Sequence, residues 1–147
     1  MRAIPHGNAA RRHVFCFDKC NVLLLHGTKH MNASPNPSSG ALTLKQGKTQ
    51  DFDEQATLLQ GWNQHYAQLS PGHFKGAIVE LFFDDIHLFM ETTSHALHQD
   101  GKLDEDVIAI GIPLRVSGHG LFCGSTMGAD AVPVFSGRDG FEFYSPD

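Results

Sequence analysis

The sequence predicts a mainly β domain, an antiparallel barrel or sandwich with one helix near its start. Three observations carry that reading. Residues 77 to 93 form two apolar runs of matched length that fold back at Asp84-Asp85. From Val107 onward, short β-prone segments alternate with Gly-, Ser- and Pro-containing turns. Between Asp51 and Leu69 a single stretch shows apolar residues at helical spacing.

The first forty residues differ in texture from the rest. They hold two of the three cysteines, four of the ten histidines and the Ser-Pro-Asn-Pro-Ser-Ser-Gly stretch at 34 to 40. Pro/Ser segments of this kind read as linkers, so residues 1–40 are expected to be a poorly ordered leader with one short strand at Asn21 to Leu25. The folded domain is placed at 41–147. Leu42 and Leu44 alternate with Thr43 and Lys45 as its first strand. Asp51 with Glu54 three residues on is an acidic variant of a capping box, and Phe52, Ala56, Leu59, Trp62 or Asn63, and Tyr66 share a helical face. Gly61 weakens that helix, and Ser70-Pro71-Gly72 ends it.

The central hairpin has a definite expected register. With Asp84 and Asp85 as its loop, Phe83 pairs with Ile86, Phe82 with His87, Glu80 with Phe89 and Ile78 with Glu91. Side chains alternate, so Ala77, Val79, Leu81, Phe83, Ile86, Leu88, Met90 and Thr92 form one nearly apolar face, expected to be core. The other face, Ile78, Glu80, Phe82, His87, Phe89, Glu91 and Thr93, mixes aromatics with carboxylates and is expected to touch a ligand, a helix or a partner. Thr93 to Asp106 reads as a loop, Val107 to Leu114 as a strand and Leu121 to Cys123 as a short one. Residues 132–135 and 141–144 read as a second hairpin. A strand that stops three residues before Asp147 suggests a barrel incomplete at its C-terminus, part of a longer protein.

Composition narrows the function. The chain has 147 residues, 41% of them hydrophobic, enough for one domain with a real core. Its formal net charge is -5, and the eleven Lys and Arg are scattered rather than striped, which argues against a nucleic-acid surface. The longest apolar runs fall far short of the eighteen or more residues of a helical membrane span. Three cysteines without a secretion signal fit a reduced, cytoplasmic setting.

Candidate chemistry is thin. Cys16, Cys20, His26 and His30 have zinc-ligand types, but five residues between the pairs cannot hold the strand and half-helix of a zinc finger. His87, Glu91, His95 and His98 invite a metal reading, but no His-x-His pair occurs and solvated histidines explain them better. Cys123 with His119 could be a nucleophile and base, yet no orienting third group accompanies them. Glu80 and Glu91 are diagonal neighbours on one hairpin face and could bind a cation or sit in water. No cofactor is implied.

Several blocks carry a family likeness. Asp53-Glu54-Gln55, then Gly61-Trp62-Asn63-Gln64-x-Tyr66-x-Gln68-Leu69-Ser70-Pro71-Gly72-x-Phe74-x-Gly76, the hairpin, Gly111-Ile112-Pro113-Leu114, Leu121-Phe122-Cys123-Gly124 and Gly140-Phe141-Glu142 together resemble the N-terminal regulatory domain of AraC-family transcriptional regulators. The resemblance covers residues 41 to 147 and is strongest at the Trp-x-Gln-x-Tyr-x-Gln-Leu block. It implies a cupin-like antiparallel barrel or jelly roll that senses a small-molecule effector or forms a homodimer, without catalysis. DNA would be bound through a C-terminal helix-turn-helix region that this sequence lacks. The alternatives are a cupin-type metal-dependent enzyme and a purely structural dimerisation module. Within such a barrel, Val79, Leu81, Leu88 and Met90 are expected to wall the pocket, with Trp62 and Tyr66 packing from the helix on the outside. His95, His98 and Arg115, near strand ends, are the expected effector contacts.

Overall fold

In the computed structural model, residues 11–15, 20–22, 42–83, 86–116, 118–128 and 130–146 are described, with 11–15, 20–22 and 113–116 as main chain only. Their elements are β1 (Arg11–Phe15), β2 (Cys20–Val22), β3 (Thr43–Thr49), α1 (Phe52–Leu58), β4 (Trp62–Gln68), β5 (Gly76–Phe83), β6 (Ile86–Thr93), β7 (Leu97–Leu103), β8 (Val107–Gly111), β9 (Pro113–Val116), β10 (Gly120–Phe122), β11 (Ser125–Met127), β12 (Val134–Ser136) and β13 (Phe141–Tyr144). The chain is mainly β, as its sequence predicts. One sheet runs β12-β8-β1-β6-β5-β3, a second runs β11-β10-β13-β7-β4, and β2 pairs with β9. Apart from β1, which lies parallel to β6 and β8, the pairings are antiparallel.

The two larger sheets face each other across a shared core. Ile78, Phe89, Val107 and Ala109 come from the six-stranded sheet, and Trp62, Leu103, Met127, Phe141 and Phe143 from the five-stranded one. This is an open sandwich, because among the described residues no closed barrel forms and both sheets keep edge strands. Of the first forty residues, β1 was not anticipated, while β2 overlaps the strand expected at 21–25. The remainder of that leader, with Cys16, His26 and His30, lies outside the described residues.

The helix is much shorter than its apolar spacing suggests. Its start is as expected: Asp51 caps it by accepting from the Glu54 amide at 2.9 Å. Thr49 reinforces that turn, accepting from the Asp51 amide at 3.1 Å and donating to the Glu54 carboxylate. The helix ends at Leu58, and Gly61, at φ 78°, turns the chain into β4. Trp62, Gln64 and Tyr66 therefore alternate inward on a strand. The spacing of Trp62 and Tyr66 satisfies both periods, and the seven-residue pairing of β4 with β7 decides for the strand.

The hairpin register is the expected one, from Phe83 opposite Ile86 to Ile78 opposite Glu91. Its faces are the reverse of expectation. Ile78, Glu80, His87, Phe89, Glu91 and Thr93 are buried, while Val79, Leu81 and Leu88 are half-buried and Met90 is 40% exposed. The mixed face can point inward because each carboxylate finds donors there. Glu80 accepts from the Gln60 amide at 3.0 Å and lies 3.0 Å from the His87 ring. The apolar outward face has no such need.

Two further expectations change. The segment expected as a loop at 93–106 contains β7, which lies between β13 and β4 in the second sheet. The expected hairpin of 132–135 with 141–144 does not form, since β12 pairs with β8 and β13 with β7 and β10. The link between them crosses from one sheet to the other. Gly137 makes that crossing possible, because a Cβ there would run into the Asp104 carbonyl.

Candidate functional site

Two polar constellations stand out, one between the sheets and one on the outside of the five-stranded sheet. The inner one centres on Glu91, which is wholly buried. Its carboxylate accepts from the Tyr66 hydroxyl at 2.9 and 3.0 Å, from Gln55 Nε2 at 2.9 Å and from Gln99 Nε2 at 3.4 Å. One carboxylate from β6 thus ties together α1, β4 and β7. Burial pushes its carboxyl up to about 7, against the opposing effect of these donors. Burial also pushes the Tyr66 phenol well above its usual range, with the neighbouring carboxylate adding to the effect, so the hydroxyl stays a donor.

The amide oxygen of Gln55 is buried without a hydrogen-bond partner. It abuts Gly76, where a Cβ would collide with it. Replacing Tyr66 with phenylalanine removes a donor to a buried carboxylate. The expected cost is about 1–3 kcal/mol, larger at pH 8 than at pH 5, measured by chemical denaturation.

The outer constellation follows from register. Across β4, β7 and β13, His65 lies opposite Asp100, which lies opposite Glu142, and one row along Ala67, His98 and Tyr144 are neighbours. His65 Nδ1 is 3.9 Å from Asp100 Oδ2, and both side chains are well exposed. His98 Nε2 lies 3.0 Å from Glu142 Oε1, and its ring stacks on Tyr144 at 4.3 Å. The Tyr144 hydroxyl donates to the same Glu142 oxygen at 3.0 Å, and that bond raises the phenol's pKa.

Above these rows an open groove of about 530 Å³ is lined by Asn63, His65, Asp100, Lys102, Cys123 and Glu142, among others. A smaller hollow of about 340 Å³ adjoins it at Asn63 and Lys102 and reaches Trp62. The groove offers hydrogen-bond donors and acceptors side by side on rigid strands.

The expected site residues are scattered. His98 belongs to the outer face, beside the groove. His95 sits in the turn before β7, its Nδ1 2.7 Å from the Ser94 hydroxyl. Arg115 lies in β9, with its side chain outside the description. Val79, Leu81, Leu88 and Met90 line the outer face of the six-stranded sheet rather than an interior pocket, because the hairpin turns its polar face inward. Trp62 and Tyr66 are core residues, not an outer layer.

Among the described residues no group of His, Cys, Asp and Glu is placed to hold a metal ion. Cys123 is exposed and takes φ 46° in the two-residue turn between β10 and β11, where its amide donates to the Glu142 carbonyl at 2.8 Å. The glutamines of the inner cluster escaped sequence reading. For Gln99 the signal is alternation, Leu97-Gln99-Gly101-Leu103, with the amide at an inward position of the strand; Gln55 lies on the helix, where alternation gives none.

Comparison with models of known protein families finds no match, and no solved structure matches the chain.

Proposed function

We propose that this chain is a non-catalytic, effector-binding domain of an AraC-like transcription regulator, and that its effector binds in the groove over β4, β7 and β13. The groove is the observation that carries the reading. The space between the sheets is occupied by packed aromatics and by the Glu91 cluster, whereas the outer face presents His65, Asp100, Lys102 and Glu142 around an open volume suited to a small polar molecule. DNA binding, on this reading, resides in another part of a longer, cytoplasmic protein. Among the described residues no helix is long and apolar enough to cross a membrane.

Thermal-shift screening of small polar metabolites tests it. A ligand of the native state raises the melting temperature by mass action. A compound that stabilises the wild type and not Asp100→Asn supports the groove; stoichiometric iron, manganese or zinc in protein purified without chelator favours the metal-dependent enzyme instead.

A homodimer is the second part of the proposal. The outer face of β3, β5 and β6 aligns Leu44, Leu81 and Leu88 in one cross-strand row and Val79 with Met90 in the next. Leu44 is 57% exposed and Phe83 43%, an apolar surface of the kind that marks protein contacts. Sedimentation of the wild type is expected to show a dimer, and Leu44→Lys to shift it to monomer without lowering the melting temperature.

A further inference from the structure

The Glu91 cluster serves no step of effector binding, yet it is built with care. A single carboxylate, contributed by one sheet, receives side-chain donors from the helix and from two strands of the opposite sheet. Every group that faces it is neutral in the ordinary range: the Gln55 amide from α1, the Tyr66 phenol from β4 and the Gln99 amide from β7. The charged residues of those elements, Asp53 and Glu54 on α1, His65 on β4, and Asp100 and Lys102 on β7, are exposed on their other faces, and His98 on β7 is half-buried on the outer face beside Glu142. Along the same inner face of the hairpin, Glu80 and His87 are paired with each other at 3.0 Å. Among the described residues, no basic side chain forms an ion pair with Glu91.

We propose that Glu91 is a proton-controlled latch that joins α1 and the five-stranded sheet to the hairpin, closed when the carboxyl is neutral and loosened when it ionises. The neutral acid places no charge in the wholly buried space between the sheets. The ionised form holds a charge between the sheets with only dipoles to balance it. The sign follows from linkage. Burial raises the folded-state carboxyl from 4.5 to about 7, so the folded state holds its proton more tightly than the unfolded state. The contribution of Glu91 to stability is therefore greatest below pH 4.5, falls as pH rises through the interval up to about 7, and levels off above it. A domain with this latch grows looser over the range in which cellular pH varies. The inference is independent of the groove's ligand.

Hydrogen exchange at the amides of α1 reads the latch directly. After correction for the intrinsic pH dependence of exchange, opening at Gln55 and Ala56 is expected to increase about tenfold between pH 6 and pH 8 in the wild type. In Glu91→Gln, which keeps an acceptor for Tyr66, the increase is expected to vanish, while His87→Gln retains it. An equal response in the wild type and Glu91→Gln overturns the proposal. Carbon-detected titration of the Glu91 carboxyl in the unmodified protein gives a second reading that needs no variant: a midpoint near 7 supports the latch, and one near 4.5 contradicts it.

Discussion

Replacing Trp62 with alanine is expected to cost the domain about 3–5 kcal/mol, the range for emptying a large aromatic from a packed core. Trp62 is 8% exposed and meets the rings of Phe89, Phe135 and Phe141 edge-on at centroid distances of 5.5, 6.1 and 5.2 Å. It joins residues of both sheets, so its loss opens a cavity that no single strand can close. Denaturant titration followed by circular dichroism measures the effect. Because Trp62 is the chain's single tryptophan, its emission also reports its place: native protein is expected to emit at short wavelength and to shift red on unfolding. A tryptophan on the outside of a helix would emit as exposed in both states.

Gly101→Ala is the second large effect, expected at about 3 kcal/mol or more. A Cβ at this position would lie 2.6 Å from the Asn63 carbonyl oxygen and 2.8 Å from the Gln64 Cα. Both are main-chain atoms of β4, held to β7 by the ladder that pairs Gly101 with Gln64. Neither can give way unless β4 lifts from its neighbour. Gly101 also lines the groove, so protein that still folds is expected to lose effector binding as well. Thermal melting and the metabolite screen read the two losses separately.

Much of the fold was legible in the sequence where a local rule acts alone. The Asp51 cap and the hairpin register depend on neighbours a few residues away, and both appear as expected. Legibility failed where two elements distant in sequence decide. Whether the inner face of β5 and β6 is the apolar or the mixed one depends on donors from α1, β4 and β7, which hairpin alternation does not reveal. The strand β7 was hidden because Gln99 and Gly101 occupy two of its inward positions, where apolar residues are expected. For the site, His98 was found beside the groove, but His65, Asp100 and Glu142 gained meaning only when pairing aligned them in one row. Strand pairing between residues 65, 100 and 142 is a property of topology, not of local spacing.

The central claim, that the effector sits on the outer groove and is bound without being transformed, is tested most directly by amide chemical-shift mapping with a compound from the thermal screen. The account predicts perturbations concentrated at Asn63, His65, Asp100, Lys102 and Glu142, with the compound recovered unchanged. Perturbations centred between the sheets, at Phe89, Glu91 and Gln99, or turnover of the compound, would contradict it.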